Sequence, residues 1–204
     1  MATTAGTILI PVHQSTEVIE VQISELPDDV GEVLEILMNE LAPLEVWLRF
    51  AVEYYRQGKH DSFLKMFQPL LDEHARGNLF DQFGDTKQTR EQFLAILNAL
   101  AAFHTVMGSR ERDKTKKKFE FEKAKRFYDS AERVDRLKGS ANVGRAVLQL
   151  AKGQLGAAEK TLTEVDAFNR NSVPALLGKA CAKYNSGNAR DALKLYREVF
   201  RVNP

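Results

Sequence analysis

Hydrophobic and polar residues alternate twice near the start of the chain, at Ile8, Ile10 and Val12 and again at Ile19, Val21 and Ile23. A period of two carried by β-branched residues predicts two strands, and the polar His13-Gln14-Ser15-Thr16 between them allows a hairpin. Pro11 places the first strand at an edge. A two-stranded ribbon is marginal in water. This arm must therefore dock on the rest of the chain or pair with a partner's strand, and the sequence leaves both open. After the acidic Pro27-Asp28-Asp29 the period changes to that of a helix, with Val33, Leu34, Leu37 and Leu41 on one face. Pro43 restarts the chain into a helix carrying Trp47, Phe50, Ala51, Tyr54 and Tyr55, closed by Gly58. Trp47 occupies a packing position and reads as core. Phe63, Phe67 and Leu70 continue into the next helix, which Pro69 is expected to kink or end early. Residues 75–88 read as a loop in which Leu79, Phe80 and Phe83 need cover. A further helix spans Thr89 to Met107, with Leu97, Leu100, Ala101 and His104 in phase and Gly108 as its turn. Its partner runs from about Phe119 to Leu137.

The last third of the chain repeats itself. Shifted by 34 residues, Gly144 falls on Gly178, Ala146 on Ala180, Gly153 on Gly187, Ala158 on Ala192 and Val165 on Val199. A 34-residue helix–turn–helix period is the signature of the tetratricopeptide repeat (TPR). The alanines allow antiparallel helices to approach closely, and Gly153 and Gly187 permit the left-handed turn between them. One such hairpin cannot bury its apolar face alone, so neighbours must stack. The expected fold is all-α, a TPR right-handed superhelix of antiparallel helix pairs with a short extended or β-hairpin N-terminal arm. The arm covers 1–26 and the solenoid 27–204, with repeats near 44–77, 90–138, 139–172 and 173–204. Relative to the later repeats, eleven residues are inserted at 109–119, expected as a loop. The chain stops at Asn203-Pro204, where a further helix is expected, so it reads as part of a longer protein. The face around Tyr196, Val199 and Phe200 would then lack a cap and promote self-association.

Composition narrows the function classes. The 204 residues are 44% hydrophobic, which argues against wholesale disorder. No apolar run approaches the length of a membrane span. The start has neither a basic segment nor an apolar one of the secretory kind. The single cysteine, Cys181, suits a reducing compartment. The net charge of +1 conceals an asymmetry, since residues 1–103 hold seven Lys and Arg against sixteen Asp and Glu. Residues 104–204 reverse this, with twenty-two against twelve. Catalytic arrangements are not visible. His13, His60, His74 and His104 are scattered without ligand spacing. Cys181 has no adjacent base. Gly139 and Gly144 have phosphate-loop spacing, but Arg145-Ala146 follows where Lys-Ser/Thr is required. No cofactor or metal is expected.

What remains is binding. In repeats of this type the first helix of each pair lines a groove that takes an extended or helical partner segment. The phase assigns to it Leu48, Val52, Tyr55 and Arg56, then Val143, Val147, Leu150 and Lys152, then Leu177, Cys181, Tyr184 and Asn185. Several of these also suit packing between repeats. Arg145 and Lys179 share a phase and, with Lys183, offer cations to a carboxylate-bearing segment or form a solvated helix face. The insert contributes Lys114, Lys116, Lys117 and Lys118, diluted by Glu111 and Asp113. It suits an acidic protein surface or, as a weaker reading, nucleic acid.

Short blocks add a more specific signal. Ile10-Pro11-Val12, Glu17-Val18-Ile19-Glu20, Leu26-Pro27, the run from Glu53 to Lys59, Gly77-Asn78-Leu79 and the run from Val173 to Ala180 occur in a familiar order. Together they resemble the N-terminal region of the TPR scaffold subunit (the Ctr9 family) of the RNA polymerase II-associated factor (Paf) complex. The resemblance implies a nuclear scaffold of transcription elongation rather than an enzyme. The partners it implies are other Paf subunits, especially a segment of the namesake subunit, and elongating RNA polymerase II, with a link to co-transcriptional histone modification. The rival reading is a generic TPR adaptor or co-chaperone for acidic peptide segments. For that, only Lys179 and Asn185 approach the required clamp.

Overall fold

A computed structural model describes residues 6–134, 139–169 and 172–202. Of the arm expected over 1–26, residues 1–5 lie outside them. So do the helix end expected at Leu137 and the Asn203-Pro204 terminus. Contacts divide the chain into two compact units, Met1–Ile96 and Leu97–Pro204.

In the first unit, β1 (Thr7–Pro11) and β2 (Val18–Gln22) pair antiparallel, with Ile8 opposite Val21 and Ile10 opposite Ile19. The helices are α1 (Gly31–Asn39), α2 (Leu44–Arg56), α3 (His60–Arg76) and α4 (Leu79–Phe83). The division between the units falls within α5 (Lys87–Arg110). β1 packs on α2, burying Ile8 and Ile10. The hairpin thus gains the apolar cover that a lone ribbon lacks. Polar straps hold the linker behind it. Gln57 donates its side-chain N–H to the Ile23 carbonyl at 3.0 Å, and Ser62 Oγ–H donates to the Asp28 carbonyl at 3.1 Å. Lys59 pairs with the Asp28 carboxylate at 2.7 Å, which holds that acid below its ordinary value. The core is aromatic: Trp47, Phe50, Tyr54, Phe67 and Phe93 are fully buried. Trp47 donates its indole N–H to the Ala42 carbonyl at 3.1 Å, so its own polar atom is satisfied on burial.

Two expectations change in this unit. α3 continues through Pro69 as one helix. Proline removes one backbone bond, but Met66, Phe67 and Leu70 are fully buried beside it, and their packing outweighs the loss. The expected loop at 75–88 contains α4, which buries Leu79 and sets Phe80 edge-on to Phe93 at 6.0 Å.

The second unit holds the end of α5 together with α6 (Lys114–Val134), α7 (Gly139–Ala151), α8 (Leu155–Phe168), α9 (Val173–Asn185) and α10 (Ala189–Val202). Ala146, Ala158, Ala180 and Ala192 are buried, as close helix approach requires. Two glycines of the first helices serve the same approach. A Cβ at Gly144 would lie 2.2 Å from Tyr128 Cε1, and one at Gly178 would lie 2.8 Å from Leu162 Cδ1. Tyr128 and Leu162 are themselves 34 residues apart. Each glycine is therefore the socket for a large residue on the second helix of the preceding repeat.

The insert is not a loop. It ends α5 with Ser109 and Arg110 and supplies the first turns of α6, which has 21 residues against 14 each in α8 and α10. Gly108 consequently lies inside α5 instead of at a turn. There it admits the Phe121 ring, whose Cδ1 would stand 2.6 Å from an added Cβ. Asp113 explains where α6 starts. Its carboxylate accepts the backbone N–H groups of Thr115 and Lys116, both at 2.9 Å, as an N-cap does. By length and composition α5 could also span a membrane, contrary to the expectation from apolar runs. Phe93, Ile96, Leu97, Leu100 and Ala101 are buried within the protein instead, and so are the polar Thr89, His104 and Thr105.

Candidate partner-binding faces

The predicted groove residues meet different fates in the two units. On α2, Leu48, Val52 and Arg56 line one cleft of about 470 Å³ together with Gly6, Thr7, Ile8 and Ile23 of the arm and its continuation. The arm therefore occupies part of the face expected to hold a partner. Arg56 pairs with Glu53 at 2.5 Å, within its own helix. Tyr55 instead stacks on His60 at 5.3 Å and meets the edge of Phe63 at 5.7 Å, at the α2–α3 turn.

On α7 and α9 the equivalent face is open. Val147, Leu177 and Tyr184 are 45%, 42% and 64% exposed. Val143, Leu150 and Cys181 lie between them half-buried, and Val143 rests on the cluster of Ala146, Leu162, Val165 and Ala175. The exposed Asn185 donates its side-chain N–H to Cys181 Sγ at 3.7 Å. Lys152 does not join this face. Its ammonium turns towards α6, 3.6 Å from Glu122 and over the Phe121 ring.

The row of cations is engaged within the chain. Arg145 reaches Glu132 at 2.6 Å and Asp129 at 3.2 Å, while Lys179 reaches Asp166 at 2.7 Å and Lys183 reaches Glu159 at 2.5 Å. Arg145–Glu132 and Lys179–Asp166 are one ion pair displaced by 34 residues, each tying a first helix to the second helix before it. They are part-exposed and worth at most about 1 kcal/mol each. Both cations are thus engaged by the chain's own carboxylates. The signal was present in the sequence, since Glu132 and Asp166 repeat with the same period as their partners.

Lys114, Lys116 and Lys118 are exposed on the first turns of α6, and Lys117 lies over the Phe121 ring at 5.7 Å. Deeper between α5 and α6, His104 Nδ1 and Glu120 Oε2 are 2.6 Å apart, and the imidazole stacks on Phe127. Burial pushes His104 below its ordinary value despite the pull of Glu120. For Glu120 burial acts upward, but the hydrogen bond and charge of His104 prevail and hold its carboxyl low. Among the described residues no three His, Cys, Asp or Glu side chains gather as a metal site.

Comparison with known proteins agrees with this architecture. A thermophilic TPR protein of Thermus thermophilus superposes with a TM-score of 0.52 at 19% identity, covering 79% of this chain and 92% of that one. That likeness concerns the TPR fold alone. The Arabidopsis thaliana protein CTR9 homolog is 36% identical over 199 residues, 98% of this chain. The Caenorhabditis elegans RNA polymerase-associated protein CTR9 is 32% identical over 202 residues, 96% of this chain. This chain belongs to the Ctr9 family. It spans only 18% and 17% of the length of those two relatives. The tetratricopeptide repeat protein 1 of Schizosaccharomyces pombe is 30% identical over 94% of the chain. No protein-family model matches. The Ctr9-family blocks and the TPR period thus point to one architecture, a TPR scaffold.

Proposed function

We propose that this Ctr9-family segment is a nuclear protein-binding scaffold within the Paf transcription elongation complex. In that setting it works beside RNA polymerase II and supports co-transcriptional histone modification through the proteins it holds. The name of the Caenorhabditis elegans relative, an RNA polymerase-associated protein, supports this setting. The observation that carries the binding role is the open apolar face of α7 and α9. There Val147, Leu177 and Tyr184 stay exposed on helices whose packing positions are taken by Gly144, Ala146, Gly178 and Ala180. Rigid stacked helices pre-organise such a face, so the ordering cost on binding falls mainly on the partner. The occupant we assign is a segment of the Paf complex's namesake subunit, with apolar side chains at helical or extended spacing. Binding, not catalysis, is the work of this chain.

Co-precipitation from nuclear extract tests this reading. The wild-type chain retains Paf subunits, and a Leu177→Asp, Tyr184→Ala variant loses them while keeping its helical circular dichroism. Equal retention by the variant would remove the face from the account. The generic adaptor reading relied on Lys179 and Asn185, and the pairing of Lys179 with Asp166 argues against it.

A further inference from the structure

The extended α6 creates a second feature, separate from the apolar face. Tyr128 packs at Gly144 and Glu122 faces Lys152 at the end of α7, so the residues of α6 before about 121 run past the end of that helix. At 1.5 Å per residue this overhang is about 10 Å, close to two turns. The recess beneath it has a volume of about 540 Å³, and its lining includes Lys114, Lys117, Lys118, Phe121, Glu122 and Lys152. Four lysines and one glutamate therefore line the recess, with the Lys152 ammonium 3.6 Å from Glu122. Lys117 and Lys152 lie over the Phe121 ring at 5.7 and 5.8 Å. Their charged ends are thereby held at the recess while their stems cover the apolar floor.

We infer that this lysine recess is a docking site for a short acidic peptide segment of a partner protein, rich in Asp and Glu. Charge complementarity supports an anionic occupant, and the details favour carboxylates over a nucleic-acid backbone. The recess admits a few side chains, not a continuous strand. It contains no arginine to fork onto phosphate. Its one aromatic ring is buried under lysines and offers no face to a base. Glu111, Asp113 and Glu122 interrupt the positive surface, and an unbroken run of phosphates tolerates that poorly. The site is independent of the α7 and α9 face.

Fluorescence anisotropy with a labelled ten-residue Asp/Glu peptide, added to the whole chain at low salt, tests the assignment. Binding is expected, while a peptide of the same length with Asn and Gln in place of the acids does not bind. Lys114→Glu with Lys118→Glu weakens binding by about tenfold or more, as loss of charge-assisted contacts requires. A second pair, Lys125→Glu with Arg126→Glu, changes the net charge equally on the same helix and costs less than about twofold. Tyr184→Ala leaves binding unchanged. Unaltered melting curves keep the variants interpretable, since all four substituted cations are exposed. The proposal is overturned if the acidic peptide does not bind, or if both charge pairs weaken it alike. It is also overturned if single-stranded RNA of equal charge binds more tightly than the peptide.

Discussion

The α2–α3 repeat and the α7–α10 repeats solve one packing problem with opposite side chains. Around α2 and α3 the space is filled by Trp47, Phe50, Tyr54, Phe63 and Phe67. Around α7 to α10 it is closed by Ala146, Ala158, Ala180 and Ala192, with Gly144 and Gly178 as sockets. Aligning the left-handed turn glycines Gly58 and Gly153 sets Arg49 at the position of Gly144. Arg49 borders the arm cleft and pairs with Glu45. Glycine is needed in a first helix only where a preceding repeat leans on it. Where the arm lies instead, a long cation fits.

That contrast makes the two regions break in opposite ways. The largest loss is expected from shrinking a residue in the first: Trp47→Ala costs about 3–5 kcal/mol, read from urea unfolding. In the second region the damage comes from growth. Gly144→Val forces a side chain into the Tyr128 ring and costs roughly 1–3 kcal/mol or more. Arg49→Gly, the reverse exchange at the matching position, loses only about 0.5–1 kcal/mol, from helix propensity. If Gly144→Val were tolerated as well as that exchange, the socket argument would fail.

Acid sharpens the same comparison, because the His104–Glu120 pair belongs to the second unit. Both folded-state values are lowered, so the unfolded chain binds more protons as pH falls. The contribution from His104 is complete above its ordinary 6.5 and declines as pH drops through that value towards the lowered one. The contribution from Glu120 follows at still lower pH. Hydrogen exchange between pH 7.5 and 5 should therefore show α5 and α6 loosening first, and His104→Gln should flatten that dependence. The smallest expected effect is in the ion-pair ladder. Arg145→Ala lowers stability by less than about 1 kcal/mol, and the loss shrinks further in high salt.

Much of this architecture was legible because it recurs. Gly153 and Gly187, the four buried alanines and the alternation in the arm are local or periodic signals, and the helices follow them. The insert was not legible as helix because its length was measured against later repeats, where extra residues usually make loops. Its composition pointed the other way: Lys and Glu are good helix formers, and Asp113 is an N-cap residue. The groove residues were placed by phase alone, and phase says nothing about what lies over a face. That is why Leu48 and Val52, which border the arm, were grouped with the exposed Val147 and Leu177. The pairing of the cations is hidden for a related reason, since their acidic partners sit on the preceding helix and outside the cations' own row.

At α2 the chain's own arm packs on the helix face, while the face at α9 stays exposed and is the one proposed above for another protein. Photo-crosslinking from a reactive residue placed at Val52 or at Tyr184, in nuclear extract, tests this most directly. The account predicts that position 52 links to residues 6–23 of the same chain, while position 184 links to a Paf subunit. A chain that captures a partner from position 52, or captures none from position 184, would contradict it.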